Sequence, residues 1–541
     1  MVKDHFSVPS NPFWGLFLIW LLACLLFLFG LGDLPLRDFD EATVARVALE
    51  ISNSKGIDQF LPTLWGAEYL NKPPGLHLLI AAVINLSRNF STQVETLPSE
   101  FVVRLAPALL STLVVPLGGL IQWQLRPKEP IASLATAGIL LTLLPLARHG
   151  RLAMLDGAQL SAMALLWLIL VSVDTSKQDR IRAFCAGLVS SFLLLLKAPF
   201  LMPALLAGVI PIFLEKKVKD FSIGLLIFLF CLGLLPGISW HLWHAIHRGS
   251  DALWLWGGDG ATRVLFSAGE GSDLGFLVPL IEIIEGGWPW LLLWPIGLLW
   301  AFSERQTRWG KWVLSTQLVL AFAILPLKTQ LPWYGHPLWL PFALVCGTPF
   351  AWLINRDSSK STPAKYLLAR VPYLLIAVGS GLVLLGLLST FGLFASFRLY
   401  SGIALAAGLG WLLGAWLLTR SLKIQRLFGG ITIAFGSFIA LLILMGSGFW
   451  LWELNESWPV KPVAEMVAKA NATSVFIEGN PERPSLNWYT GQTVNRFENF
   501  SNSNWVLTRK QKNFADIHSD RKCRLIQENG EWSLIFCTPK Y

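Results

Sequence analysis

Charged residues are scarce in this sequence. Asp, Glu, Lys and Arg make up 14% of its 541 residues and hydrophobic residues make up 54%, whereas a soluble domain carries about 25% charged residues. This composition excludes an ordinary soluble protein and indicates that most of the chain lies in lipid. The formal net charge of +9 is too small to indicate a nucleic-acid partner, and in a membrane protein such an excess normally lies in cytoplasmic loops.

Cysteine is also scarce, with six residues in the chain. Four lie in apolar segments, where we expect them to pack without reacting, and none has the spacing of a zinc site. Cys523 and Cys537 lie in the polar C-terminal region. A disulfide between them would suit an oxidising compartment, but the sequence does not show whether their Cα atoms are close enough.

Long apolar runs, in contrast, are abundant. A membrane-spanning helix needs about 20 mostly apolar residues. We predict roughly 13 such segments, near residues 12–32, 101–123, 130–147, 157–174, 181–196, 198–214, 221–244, 288–302, 311–327, 336–354, 371–391, 399–419 and 429–452. The run at 76–86 is shorter, and counting it as a span would invert every later loop. We therefore interpret it as a juxtamembrane or re-entrant helix.

The loops between these segments predict the topology. Short basic loops occur at residues 126–128, 177–182, 216–219, 305–308, 356–370 and 420–426. The positive-inside rule assigns them to the cytoplasm. An odd number of spans then leaves the N-terminus in the cytoplasm and the C-terminus in the periplasm. We predict an all-α multi-pass domain of the plasma (inner) membrane over residues 1–452, with outer loops at 33–100 and 245–287.

The C-terminal region, residues 453–541, differs in composition. Val463, Met466 and Val467 have helical spacing, and several short β-branched or aromatic runs follow that read as strands. Asn529-Gly530 suits a tight hairpin turn between the last two strands. We predict a small soluble α/β domain on the periplasmic side.

Acidic residues stand where apolar helices leave the membrane. Asp40 and Glu41 follow the first span, and Asp156 precedes the fourth. A carboxylate at such a place is usually functional, and it can act as a general base toward a hydroxyl or amine. The same carboxylates would also suit a divalent cation. The alternative is structural, because Asp and Glu at a helix start satisfy free N–H groups.

Cationic and phenolic side chains map to the same predicted membrane face. Lys72, Lys197 and Tyr334 could hold and stabilise a lipid phosphate as it leaves. We predict that Arg37, beside the first acids, also binds this phosphate. Snorkelling lysines and an aromatic belt are the alternative explanations. Together with the acids, these residues predict the transfer of a group from a lipid phosphate at a single site facing away from the cytosol.

Taken in order, the motifs resemble those of GT-C fold membrane glycosyltransferases, in particular the branch of lipid A aminoarabinose transferases and protein O-mannosyltransferases. The matching pieces are Arg37-Asp38-Phe39-Asp40-Glu41, Lys72-Pro73-Pro74, 148–156, Leu196-Lys197-Ala198-Pro199, Trp288-Pro289-Trp290 and Leu331-Pro332-Trp333-Tyr334. The resemblance implies a polyprenyl-phosphate sugar donor and direct transfer outside the cytoplasm. It also implies that Asp40 is the main base, that Asp156 assists, and that Lys72, Lys197 and Tyr334 bind the donor phosphate.

The acceptor stays open. Gln330 occupies a position that is often basic in the resembling proteins, and such departures leave a lipid, a glycan or a protein as acceptor. A transporter or flippase of lipid-linked sugars is the main alternative function, although we find no internal repeat, which many transporters show. An assembly factor acting through the C-terminal region is a third hypothesis.

Overall fold

The computed structural model describes residues 11–90, 97–173, 178–215, 223–253, 275, 277–328, 330–356, 362–448, 450, 460–478, 483–496, 504–509 and 521–539. The chain forms two compact units. The first, here the helical unit, comprises Met1–Leu31, Leu70–Leu76 and Leu105–Trp450. The second, here the mixed unit, comprises Gly32–Tyr69, His77–Arg104 and Leu451–Tyr541. The C-terminal region therefore shares a compact unit with much of the predicted loop 33–100, and a domain boundary at 452 stays a prediction.

Apolar helices dominate the chain. The first eleven are α1 (Phe13–Leu28), α2 (Asp40–Asn53), α3 (Gly75–Phe90), α4 (Glu100–Thr112), α5 (Val114–Leu125), α6 (Pro130–Leu141), α7 (Leu144–His149), α8 (Leu155–Val171), α9 (Asp179–Lys197), α10 (Leu201–Leu214) and α11 (Ile223–Arg248). The others are α12 (Leu277–Gly286), α13 (Trp294–Ser303), α14 (Arg308–Ile324), α15 (Trp339–Asn355), α16 (Pro363–Leu368), α17 (Val371–Thr390), α18 (Ser401–Leu418), α19 (Lys423–Met445), α20 (Val460–Lys469) and α21 (Pro484–Thr490). Short 3₁₀ helices lie at Gly56–Phe60, Ala198–Phe200, Gly249–Leu253, Trp290–Leu293, Pro332–Leu338 and Ala395–Tyr400.

Among the described residues, each predicted apolar segment overlaps helix, but the predicted count of 13 spans is not confirmed. Within the described ranges, seven helical stretches are long and apolar enough to cross a membrane, and the bent pair Leu277–Gly286 and Trp290–Ser303 would make eight. The counts differ because some predicted segments form helices of only 10–17 residues. In addition, the two segments predicted at 181–196 and 198–214 form one stretch, Asp179–Leu214.

The predicted outer loop 245–287 is helical at both ends, in α11 with the 3₁₀ turn after it and in α12. Residues 254–274 and 276, which fall in this prediction, lie outside the described residues.

Glycine allows close helix packing in the helical unit. A Cβ atom on Gly410 of α18 would lie 2.6 Å from the Cα atom of Gly436 in α19, closer than real Cβ contacts come. Backbone approach of this kind is a common way for helices to associate in lipid, where burial of apolar surface gives little driving force.

The mixed unit contains the strands. A two-stranded hairpin joins β1 (Thr63–Leu64) to β2 (Ala67–Glu68). The remaining strands are β3 (Phe476–Ile477), β4 (Asn495–Arg496), β5 (Trp505–Arg509), β6 (Arg521–Asn529) and β7 (Trp532–Pro539), which form one sheet in the order β4-β3-β5-β7-β6. Strands β4, β3 and β5 are parallel, and β7 pairs antiparallel with both β5 and β6.

The C-terminal part of this unit matches the predicted α/β character. The predicted spacing at 463–467 falls in α20, whose buried residues join a core with those of β3, β5 and β7. Strands β6 and β7 form the predicted hairpin, and Cys523 pairs with Cys537 across it. The two cysteines form a disulfide, with their Cα atoms 4.0 Å apart.

The β1–β2 hairpin is held by a single carboxylate on α2. Glu50 accepts hydrogen bonds from Thr63 Oγ1 (2.6 Å) and Trp65 N (2.7 Å), and it pairs with Arg46 at 2.7 Å. Arg46 in turn lies 3.6 Å from the centroid of the Trp65 ring. Burial alone would raise the pKa of Glu50, but these hydrogen bonds outweigh it and lower the pKa.

We expect Glu50 to make the hairpin sensitive to acid. Because its pKa is lowered in the folded protein, its stabilisation is complete above the ordinary carboxyl pKa of about 4.3 and is lost as the pH falls through the lowered value. Amide hydrogen exchange at Trp65 and Gly66, corrected for intrinsic rates, should lose roughly tenfold protection over that window. In Glu50→Gln the protection should be weaker at neutral pH and indifferent to acid; an unchanged acid response in this variant would contradict the assignment.

Candidate active site

A tight turn precedes α2 and presents Asp40. Phe39 has φ 56° and ψ −75°, and Asp40 N donates to Asp38 O at 2.8 Å. This is a γ-turn of the rare form with positive φ, which is strained for a residue other than glycine. The turn makes Asp40 the first residue of the helix, where its side chain is half-buried.

Backbone carbonyls accept hydrogen bonds from two amides at the start of α2. Ala42 N donates to Arg37 O at 3.1 Å and Thr43 N donates to Phe39 O at 3.3 Å. The turn before α2 therefore supplies acceptors for these two N–H groups.

Glu41 forms a buried ion pair. Its carboxylate accepts from Arg104 Nε at 2.8 Å and Arg104 Nη2 at 2.7 Å, and both side chains are 0% exposed. It also accepts from Arg37 N at 3.0 Å. Arg104 Nη1 and Nη2 reach back to the carbonyls of Leu34 and Pro35, both at 2.8 Å. These contacts fix the Glu41 side chain, and its catalytic role stays a prediction.

Asp38 lies under the C-terminal part of the mixed unit. It accepts hydrogen bonds from Ser485 N (3.0 Å) and Ser485 Oγ, and from Arg483 Nη1 at 2.8 Å. Ser485 is in the first turn of α21. The predicted phosphate ligand Arg37 is also buried in this unit, with 1% of its surface exposed.

Tyr489 makes a second link in the same unit. Its hydroxyl accepts from Leu36 N at 2.7 Å and donates to Glu100 Oε1 at 2.8 Å, and Lys461 Nζ lies 2.5 Å from the same oxygen. Burial and the negative charge of Glu100 raise the pKa of Tyr489, so its hydroxyl stays protonated and remains a donor.

In the helical unit, Lys197 and Tyr334 meet. Lys197 ends α9, and its Nζ lies 4.8 Å from the centroid of the Tyr334 ring. Tyr334 stands in the 3₁₀ helix Pro332–Leu338. The two residues are far apart in sequence, so this is a tertiary contact.

The start of α3 brings the Lys72 segment to the same end of α9. A Cβ atom on Gly75 would lie 2.6 Å from the carbonyl oxygen of Leu195, so only glycine permits this approach. Lys72 precedes Gly75 by three residues and Lys197 follows Leu195 by two. The structure thus brings together the segments that carry Lys72 and Lys197.

Asp156 is buried in the first turn of α8. This helix packs against the 3₁₀ helix that carries Tyr334. Asp156 and Tyr334 therefore lie on packed elements of the helical unit.

Histidine and arginine side chains form a buried polar cluster, which joins the 148–156 motif to His336, a residue that the sequence analysis did not single out. His149 lies 5.6 Å from His336 and 6.1 Å from Trp333, measured between ring centroids. Arg148 and Arg151 flank His149 in the chain and are buried as well. Ionisable residues at such depth in an apolar helical unit are expensive unless they serve a function or are satisfied locally.

No metal site accompanies these side chains in the part of the chain that the structure describes, since no three His, Cys, Asp or Glu residues group together as ligands.

A family match covers about a third of the chain. Residues 66–250, which include Lys72, Asp156 and Lys197, match the family described as dolichyl-phosphate-mannose-protein mannosyltransferase. A comparison with curated proteins gives no significant sequence match.

Two solved structures are similar over nearly the whole chain. ArnT from Cupriavidus metallidurans bound to undecaprenyl phosphate superposes with a TM-score of 0.71 at 13% identity, covering 96% of this chain and 97% of that chain. The apo state of the same protein gives a TM-score of 0.70 at 14% identity, covering 97% and 98%. The chain has the ArnT fold. The predicted resemblance is confirmed for the family segment and the fold, and the chain is a multi-pass membrane protein.

Within the ArnT fold, Gln330 has a structural task. Its Nε2 donates to the carbonyls of Ile324 (2.8 Å) and Leu327 (2.9 Å), which satisfies carbonyls at the C-terminal end of α14. Gln330 is fully buried. This position, often basic in the resembling proteins, therefore serves helix capping here.

Proposed function

We propose that this protein is a glycosyltransferase that moves a sugar from a polyprenyl-phosphate carrier to a lipid, glycan or protein acceptor on the extracytoplasmic face of the plasma membrane. Asp40 is the general base, Asp156 assists it, and Lys72, Lys197 and Tyr334 hold the donor phosphate. Arg37 is a further ligand of the donor phosphate.

The contact between Lys197 and Tyr334 carries the proposal. A lysine at the end of an apolar helix needs an anion or water for its charge, and the Tyr334 ring holds it 4.8 Å away, where an ammonium is attracted to the aromatic face. The lysine can still donate to a phosphate oxygen. The ArnT structure with the same fold contains undecaprenyl phosphate, the carrier expected for such a site.

The proposed reaction is a single displacement at the anomeric carbon. Asp40 takes the proton of the acceptor hydroxyl or amine, whose oxygen or nitrogen forms the new bond to the sugar as the bond from the sugar to the phosphate oxygen breaks. The electron pair leaves with the polyprenyl phosphate. Lys72, Lys197 and the Tyr334 hydroxyl stabilise the charge that develops there. Attack from the opposite side inverts the configuration.

Lipid-linked sugar profiling of a deletion strain tests the proposal directly. Mass spectrometry should show a polyprenyl-phosphate sugar that accumulates in the deletion strain and disappears on complementation. It would also identify the sugar. Movement of the lipid-linked sugar across vesicle membranes by the purified protein, with no covalent product formed, would instead support the transporter hypothesis.

Substitutions at Lys197 and Tyr334 should weaken carrier binding. We expect Lys197→Met to lower the affinity for undecaprenyl phosphate by about tenfold to a hundredfold, because a hydrogen bond to a charged group is lost. Tyr334→Phe keeps the ring and should lose about tenfold through the hydroxyl alone. Binding to purified protein in detergent can be measured by thermophoresis.

A matched control exists for this experiment. Lys365 Nζ also lies over an aromatic ring, 5.6 Å from the centroid of Trp300, but it belongs to a basic loop predicted to be cytoplasmic. Lys365→Met should leave undecaprenyl phosphate binding unchanged. Equal effects of the two lysine variants would contradict the assignment of Lys197.

A further inference from the structure

The segment that carries the predicted base is tied to the C-terminal region of the mixed unit. Leu36 and Asp38 flank Arg37, and Asp38 is the first residue of the γ-turn. Each of the two forms a hydrogen bond with a residue of α21. Leu36 N donates to Tyr489 Oη at 2.7 Å. The Asp38 carboxylate accepts from the backbone and side chain of Ser485. The two ends of this short stretch are therefore fixed by residues about 450 positions later in the chain.

A charged side chain strengthens each tie. Arg483 Nη1 donates to Asp38 Oδ2 at 2.8 Å, and the Asp38 side chain is 4% exposed. The Tyr489 hydroxyl, whose oxygen accepts from Leu36 N, donates to Glu100. Hydrogen bonds with an ionised partner are shorter and stronger than neutral ones. The bonds to Asp38 and from Tyr489 to Glu100 are of this kind, so they hold the segment strongly.

The bonds to Asp38 also maintain the strained γ-turn before Asp40. Phe39, with its positive φ, is held between Asp38 on one side and α2, which starts at Asp40, on the other. A sparsely populated backbone conformation persists only where its surroundings over-determine it, and such residues cluster at functional sites. Asp38 is the residue whose carbonyl closes the turn, at 2.8 Å from Asp40 N. Fixing Asp38 therefore fixes the direction in which α2 presents Asp40.

We propose that Ser485, Arg483 and Tyr489 are positioning residues for the base, so that the C-terminal region takes part in catalysis by holding the Leu36–Asp40 segment. The inference rests on the proposed function of Asp40. None of the three residues touches the reacting atoms in this scheme; each acts through Asp38 or Leu36. A displacement of the base by about 1 Å can lower a rate by about a hundredfold.

The test uses the full-length protein in membranes of the deletion strain, which supply the accumulated donor and the unmodified acceptor. Initial rates of polyprenyl-phosphate release are measured for Ser485→Ala and Tyr489→Phe. We expect rates at saturating donor to fall roughly 10- to 100-fold, while the affinity of the purified variants for undecaprenyl phosphate stays within twofold. Ser485→Thr keeps the hydroxyl and should recover most of the rate. The acidic limb of the pH–rate profile should move in Ser485→Ala, because the base is held differently.

Thr508→Val is the matched control. Thr508 Oγ1 donates to Glu478 at 2.6 Å inside the C-terminal region, so this variant removes a buried bond to a carboxylate without touching the segment that carries Asp40. It should keep the full rate. Hydrogen exchange of peptides covering residues 33–41 should accelerate in Ser485→Ala and Tyr489→Phe and stay unchanged in Thr508→Val.

Wild-type rates in both Ser485→Ala and Tyr489→Phe would overturn the inference, and so would an equal loss in Thr508→Val, which would indicate general destabilisation. The proposed function fails separately. If Asp40→Asn retains full activity, Asp40 is not the base, whereas an inactive Asp40→Asn beside fully active Ser485 and Tyr489 variants removes only the positioning role.

Discussion

Replacing Asp40 with Asn should reduce sugar transfer by about 10²- to 10⁴-fold, the range that a positioned general base contributes. Asparagine is nearly isosteric with aspartate but cannot take the proton of the acceptor. The γ-turn at Phe39 and the buried Glu41–Arg104 pair do not involve the changed atoms, so the fold should be retained. Polyprenyl-phosphate release in membranes of the deletion strain measures the rate, and the elution profile in detergent reports the folding.

Asp33 provides the matched acidic control. It precedes the same segment in the mixed unit and its side chain is exposed, so Asp33→Asn removes an equal charge at the membrane edge. It should keep the wild-type rate. Undiminished transfer by Asp40→Asn would exclude Asp40 as the base. A similar loss in both variants would assign the effect to the local negative charge.

Segments whose structure depends on their own residues were predicted well. The spacing of Val463, Met466 and Val467 predicted the helix α20, and the apolar runs predicted the apolar helices.

The turn between β6 and β7 was predicted one residue early. Asn529 pairs with Trp532 across the sheet, so Gly530 and Glu531 form the loop, and Gly530 takes the positive φ of 56°. A bulge in β6 between Leu525 and Gln527 shifts the register, which no local pattern reveals.

Partners distant in the chain could not be predicted in the same way. The motif around Asp40 indicated that the segment is functional. It could not distinguish Glu41 from Asp40, because both are carboxylates at a helix start. Only the fold shows that Arg104, 63 residues later, neutralises Glu41. Likewise Ser485 and Tyr489 lie in a region without a recognisable motif, and their roles follow from hydrogen bonds across about 450 residues. His336 could have been singled out from the sequence, because it is a histidine inside an apolar segment and lies two residues after Tyr334.

Breaking the Glu41–Arg104 pair should strongly destabilise the mixed unit. Arg104→Met removes the cationic partner of the Glu41 carboxylate at a place where neither side chain reaches solvent. Removing one partner of a buried ion pair costs about 3–5 kcal/mol, and Arg104 also loses its bonds to the Leu34 and Pro35 carbonyls. We expect a large drop in the apparent unfolding temperature of the detergent-purified protein.

A double variant distinguishes the cost of an unpaired charge from the cost of the altered side-chain packing. Glu41→Gln combined with Arg104→Met removes both charges, so it should recover part of the stability lost in Arg104→Met alone. The exposed pair Glu465–Lys469, with an N–O distance of 4.0 Å, is the control, because breaking such a surface pair changes stability by only about 0–1 kcal/mol. If Arg104→Met unfolds at the same temperature as Glu465→Gln, the buried pair does not hold the segment. Glu41 would then be available for the catalytic role that its position beside Asp40 first suggested.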